Sequence, residues 1–180
     1  MKKNIVLALA LGLAGMSVLP SAMADGLFIN GNLGRTELKQ GNFDKDTGWG
    51  INGGYRWGAF GLEAGYNDFG SFERSGNTSN KIDLTGFTLG VNGKYNFADA
   101  WYVSGRAGLY RWDADLRTTP PIGSSYNSSE KGTDWYAGVG VGYDFSPNFG
   151  IGLAFDRFKA DGKVTEYTTN RTSVTAEYRF

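Results

Sequence analysis

The sequence predicts an all-β chain, an up-and-down barrel of eight antiparallel strands, and three observations carry that expectation. Past residue 25, apolar residues recur at every second position rather than at helical spacing, the mark of half-exposed strands. Glycine and aromatics are abundant, with 28 Gly, 12 Phe, 10 Tyr and 5 Trp, while Cys and His are absent. The connections between alternating segments also switch strictly between short and long.

The first element is not part of the barrel. Lys2 and Lys3 precede an apolar run from Ile5 to Leu19, and Ala22, Met23 and Ala24 lead into Asp25. This reads as a signal peptide over 1–24, cleaved after Ala24, which leaves a mature domain of 25–180. A spanning helix needs roughly 20 apolar residues, and this run is shorter. Lys+Arg and Asp+Glu are equal at 18 each, so loss of the two signal lysines leaves a slightly acidic chain with no basic field for nucleic acid. Without Cys, an exported chain depends on packing and backbone pairing alone.

The strands are expected at roughly 26–35, 47–57, 60–69, 82–97, 101–113, 133–145, 149–158 and 171–180. In the second, Trp49, Ile51, Tyr55 and Trp57 share one face, and Gly50, Asn52 and Arg56 share the other. Tight turns at 58–59, 98–100 and 146–148 alternate with long polar connections at 36–46, 70–81, 114–132 and 159–170. Pairing across the tight turns sets Trp57 opposite Phe60, Phe97 opposite Trp101 and Phe145 opposite Phe149. The apolar faces then match along each hairpin: Tyr55 with Leu62, Val91 with Ala107, Val141 with Leu153. A slip of one residue would mix the faces.

At the short-turn end the apolar face gathers Tyr55, Trp57, Phe60, Tyr95, Phe97, Trp101, Tyr143, Phe145, Phe149 and Tyr178, with Phe180 closing the last strand. Aromatics collected at one height beside separate turns are expected of a girdle at a membrane interface, with short periplasmic turns and long extracellular loops. A soluble β-sandwich would bury such residues at mid-strand instead. Phe180 then ends a lipid-facing strand that must pair with the first, because hydrocarbon offers backbone groups no other partner.

The segments "VTAEYRF" (174–180), "GLEAGYNDFG" (61–70) and "WYVSGRAGLYRWDADL" (101–116) resemble the closing, third and fifth strands of the transmembrane domain of the OmpA family. The mature chain is similar to the wider group of small eight-stranded barrels that includes OmpX and the opacity proteins. That resemblance implies a location in the outer membrane of a Gram-negative bacterium, contact with outer-membrane lipid, and a monomer. It also implies that Phe180 is the signal read by the barrel-assembly machinery. The peptidoglycan-binding domain of full-length OmpA has no counterpart in this sequence, so no anchoring to peptidoglycan is implied.

The opposite parity sends Asn30, Asn32, Asn52, Arg56, Glu63, Asn67, Asn92, Lys94, Ser104, Arg106, Asp156 and Glu177 into a lumen just wide enough for side chains. Unpaired charges there would be costly, so Glu63 and Glu177 are expected to pair with Lys94 and Arg106, with Asn92 and Asp156 as polar neighbours. In the OmpA family a similar network acts as a gate, and Glu63 and Arg106 stand where that family carries a lumenal Glu and Arg. Asn92, Gly142 and Gly152 stand where its other charges would be expected, which leaves a static polar core as the alternative. Gly138, Gly140 and Gly142 face Asp156, Ala154 and Gly152, so either Phe28, Tyr102 and Tyr136 fill that wall or it is wet. Tyr110 and Trp112 either close the long-loop end or join an outer girdle.

Catalysis is not expected. Barrel enzymes of the outer membrane depend on His, and Glu63 with Glu177 sit in a space too narrow for a polymeric substrate. No cofactor or metal is expected either, since Asp44, Asp46, Asp113 and Asp115 are spaced like solvated loop charges. The function expected is a structural or surface-interaction role with a filled lumen. The alternative is a narrow channel for ions or small solutes.

Overall fold

In a computed structural model the described residues are 26–39, 46–74, 79–98, 100–119, 126–161 and 166–180. The segment read as a signal peptide, with its cleavage site, lies outside them. Eight strands close a barrel in chain order: β1 (Gly26–Leu38), β2 (Asp46–Trp57), β3 (Phe60–Arg74), β4 (Ser79–Ala98), β5 (Trp101–Thr119), β6 (Tyr126–Asp144), β7 (Phe149–Asp161) and β8 (Glu166–Arg179). Neighbours pair antiparallel throughout. The seam between β8 and β1 runs from Phe28↔Arg179 to Leu38↔Thr169. Even the last amide joins it, as Phe180 N–H donates to the Leu27 carbonyl at 3.0 Å.

The hairpin registers follow from the face pattern. Tyr55↔Leu62, Val91↔Ala107 and Val141↔Leu153 are all Cα partners. Gly58, first in a two-residue turn, takes φ 57°, a backbone state such hairpin loops require and other residues resist. One pairing differs: a bulge near Asn96 puts Ala98, not Phe97, opposite Trp101. An extra residue in one strand bends it at the turn without changing the face on which the flanking pairs lie.

Four strands run five or more residues past their expected ends: β3 to Arg74, β5 to Thr119, β6 back to Tyr126 and β8 back to Glu166. β4, β5 and β6 contain 20, 19 and 19 residues, so most of the expected loop at 114–132 is paired backbone, up to Thr118↔Tyr126. On β5 the inward alternation of Tyr110 and Trp112 continues into Ala114, which packs against the buried apolar cluster, while β6 over 127–132 is polar and its extension shows only in the backbone pairing.

The barrel is inside out relative to a soluble protein. Its outer face exposes Leu89, Val103, Leu109, Val139, Ile151 and Leu153, among many large apolar side chains. On β5 this band runs from Trp101 to Leu109 and stops at Arg111; on β7 it runs from Phe149 to Phe155 and stops at Arg157. A tilted strand needs roughly 9–11 residues to cross a hydrocarbon layer, which is close to that height. The short-turn aromatics stand on this outer face, with Phe60 74% exposed. They touch one another in pairs, Tyr55 with Trp57 and Trp101 with Tyr143. Trp49, Tyr66 and Phe87 form a second outward set nearer the long-loop end.

Side chains cover most of the glycine wall, and a cavity lies against Gly138 and Ala154. A Cβ on Gly152 would stand 2.7 Å from the Tyr102 hydroxyl, one on Gly142 would overlap the same ring, and one on Gly138 would overlap the Asp156 carboxylate. Glycine here makes room for a lumenal tyrosine. Gly142→Val is accordingly expected to destabilise the barrel by about 1–3 kcal/mol, the usual cost of overpacking. Tyr102→Ala in the same chain should recover only part of that loss in urea unfolding, because the added Cβ would also stand 2.5 Å from the Ile151 carbonyl; purely additive losses would mean that the ring contributes nothing to the clash.

Candidate functional site: the lumenal charge network

Two linked groups of charges occupy the lower and middle lumen. In the lower one, near the short turns, the Arg56 guanidinium donates to both Glu177 oxygens at 3.1 Å, the fork geometry that makes such pairs strong. Lys94 donates to Glu177 at 3.1 Å and to Asp144 at 2.8 Å. Arg179 reaches Asp144 at 3.0 Å and Glu177 at 3.2 Å. Aromatic faces back two of these cations: Phe28 lies 4.3 Å from Arg56 and Tyr102 3.9 Å from Lys94.

The upper group centres on Asp156, which is fully buried. Arg106 contacts it at 2.7 Å and Arg171 at 3.5 Å. Arg171 is itself fully buried, its guanidinium 5.4 Å from the Phe69 ring and 5.2 Å from that of Phe158. Glu63 accepts from the Tyr136 hydroxyl at 2.9 Å and from Asn92 at 3.3 Å. Asn92 also accepts from Arg56 at 3.0 Å, so one neutral amide joins the two groups.

Of the expected pairings, Glu177 with Lys94 is present, but Glu63 stands only within 4.0 Å of Arg106, whose nearer partner is Asp156. The reason lies in the register. Asn92 is the Cα partner of Arg106 and lies between it and the lower acids, while Gly138 leaves room for Asp156 to approach from β7. Sequence reasoning placed Arg56 inside without a charge role and did not name Asp144, Arg171 or Arg179. Parity would have found all three, since Asp144 shares a face with Gly142, and Arg171 and Arg179 with Glu177. Between the groups lies a cavity of about 60 Å³ bordered by Asn30, Ser104, Ala154 and Thr175. Its lining is mixed, polar and apolar, and it is large enough for water.

Toward the long-loop end the lumen changes character. Phe69, Ile82, Leu84, Tyr110, Trp112, Tyr136, Phe158 and Ala160 form a buried apolar cluster, with Phe69 and Phe158 rings 4.6 Å apart. Tyr110 and Trp112 point inward, 0% and 1% exposed, rather than joining an outer girdle. The indole of Trp112 donates to Asp134 at 2.8 Å. Of the acids weighed for calcium, Asp113 pairs with Lys131 at 3.0 Å, Asp46 accepts from Ser71 N–H at 2.6 Å, and Asp115 is exposed. Asp44 lies outside the described residues.

Residues 6–180 match the family model described as outer membrane protein beta-barrel domain. Among solved structures, the fold resembles neisserial surface protein A, with a TM-score of 0.63 at 14% identity over 89% of this chain and 100% of that one. It also resembles Ail, the attachment invasion locus protein of Yersinia pestis, solved with the heparin analogue sucrose octasulfate, with a TM-score of 0.55 at 17% identity over 87% and 97%. OprG from Pseudomonas aeruginosa is similar too, with a TM-score of 0.55 at 12% identity over 86% and 96%. Among curated proteins no match was found.

Glu177 is the acceptor that three cations share, so its removal strands charge in a buried space. Glu177→Ala is expected to lose roughly 3 kcal/mol, the low end for a broken buried pair because Asp144 still accepts from Lys94 and Arg179. In a double-mutant cycle with Arg56→Met, urea unfolding in lipid vesicles should show coupling above about 1 kcal/mol. Two additive losses would mean that the fork contributes nothing.

Proposed function

Because the chain belongs to the outer membrane protein β-barrel family, we propose that it spans the outer membrane as a monomer whose role is structural or surface-interacting and whose lumen does not conduct. In this reading the short turns face the periplasm. Tyr55, Trp57, Phe60, Tyr95, Phe97, Trp101, Tyr143, Phe145, Phe149 and Tyr178 form the interfacial girdle against outer-membrane lipid, and Phe180 is the residue that the assembly machinery reads. The observation that carries it is the double filling of the lumen. A hydrogen-bonded charge network occupies the lower half, and aromatic rings as close as 4.6 Å occupy the upper half. In an eight-stranded barrel, side chains suffice to fill the section.

Glu63, Lys94, Arg106 and Glu177, joined by Arg56, Asp144, Asp156 and Arg179, are the structural plug in this proposal, with Asn92 as its link. The rival, a narrow pore, draws support from the cavity of about 60 Å³ between the two groups. The apolar cluster above that cavity weighs against it, since ions would have to shed water to pass. Catalysis is not proposed: the chain has no His or Cys, Glu177 is engaged by cations, and Glu63 accepts from Tyr136 and Asn92.

Residues 25–180, refolded and inserted in a planar bilayer, are expected to give no discrete conductance steps. Glu63→Ala should unfold at lower urea and stay silent, because the aromatic layer is untouched. Reproducible steps in the unaltered barrel would put the pore reading in the lead, and a Glu63→Ala chain of unchanged stability would remove the plug.

A further inference from the structure

Seven of the eight ladders join strands that follow one another in the chain, so a connection limits how far each pair can slide. The seam between β8 and β1 joins the last strand to the first and has no such limit. Face alternation does not supply one. Ile29, Gly31 and Leu33 stand opposite Tyr178, Ala176 and Val174, all facing outward. A slip of one residue would turn every face, but a slip of two restores the same parity. Some other contact must therefore choose among the closures that parity allows.

The end of β8 is gripped on both flanks. On one side, Arg56 of β2 and Glu177 of β8 meet across β1, which lies between their strands. Arg56 is the Cα partner of Gly26 and Glu177 that of Asn30, so the fork between them closes over Phe28, whose ring is 4.3 Å from the guanidinium. Gly54 makes room for that ring, since a Cβ there would stand 2.8 Å from it. On the other side, Arg179 holds the turn between β6 and β7. Its Nε donates to the Pro147 carbonyl at 2.8 Å and its terminal nitrogen to that of Ser146 at 3.2 Å, while the Asn148 amide donates back to the Arg179 carbonyl at 2.7 Å.

We propose that Glu177 and Arg179 are the register lock of the closing seam, selecting the one closure in which Asn30 faces Glu177. A strand advances about 3.4 Å per residue, so a slide of two moves each side chain by about 7 Å. A fork closed at 3.1 Å does not survive that shift. Register in turn sets the stagger and tilt with which eight strands close. This role is separate from the plug. Neutralising Glu177 requires only a nearby cation, which Lys94 supplies at 3.1 Å, whereas the planar guanidinium of Arg56 adds direction. Fixing a register is the best-attested use of a buried polar pair.

The chain has no Cys, so thiols placed on the outer face report the seam directly. Ala176→Cys is combined in turn with Gly31→Cys, its Cα partner, and with Ile29→Cys or Leu33→Cys, the partners that a slide of two residues either way would supply. A side chain at Gly31 meets open space. Disulfides need Cα atoms within about 7 Å, so each pair reads one register. In refolded barrels in lipid vesicles, oxidised with copper phenanthroline and digested for mass spectrometry, the first pair should close and the other two stay reduced. Adding Glu177→Gln and Arg179→Gln should raise one of the slipped cross-links about tenfold. Arg56→Lys, which keeps the charge without the fork, should raise it less, and it decides the matter if the double variant does not fold. Folded variants that still cross-link only through Gly31→Cys overturn the lock and leave these residues to the plug alone. Slipped cross-links in the barrel with Glu177, Arg179 and Arg56 intact overturn it as well.

Discussion

Closure of the hydrogen-bond ladder between β1 and β8 is the constraint on which the rest depends. The outer face is apolar from the short turns up to Arg111 and Arg157, so within that height no water can satisfy a strand edge. Every N–H and C=O must find a partner in the wall. The run from Phe28↔Arg179 to Leu38↔Thr169 achieves this, and Phe180 extends it by one more bond.

Closure has a price inside. Alternation that sends Leu, Val and aromatic residues outward sends their polar neighbours inward, into a space only side chains can fill. Two buried carboxylates each face more than one cation: Glu177 faces Arg56, Lys94 and Arg179, and Asp156 faces Arg106 and Arg171, the latter as an ion pair whose guanidinium nitrogens make no hydrogen bond. Replacing such a network by apolar residues is often neutral or stabilising, whereas removing one member leaves a stranded charge. Its rigidity comes from shared partners rather than from any single bond.

Where the hydrocarbon ends, the constraint relaxes. Above the apolar band water can satisfy backbone groups, and there the strands part company, with β6 leaving β7 after Tyr136 while staying with β5. The aromatic cluster around Phe158 lies just below this change, where the lumen turns from charged to apolar.

The sequence alone determined the strand count, the order, the face each residue takes and most hairpin registers, because a period of two with short turns leaves one self-consistent solution. It also sent Glu63, Lys94, Arg106 and Glu177 inward. Tertiary structure alone decided which inward charges meet, since Glu177 meets Arg56 from β2 and Lys94 from β4 across the lumen, contacts that no hairpin register contains. It likewise decided that Tyr102 covers part of the glycine wall and that β3, β5, β6 and β8 run past their expected ends. Parity fixes a direction, but depth across a tilted barrel depends on strand stagger, and polar paired strands carry no hydrophobic period to betray them.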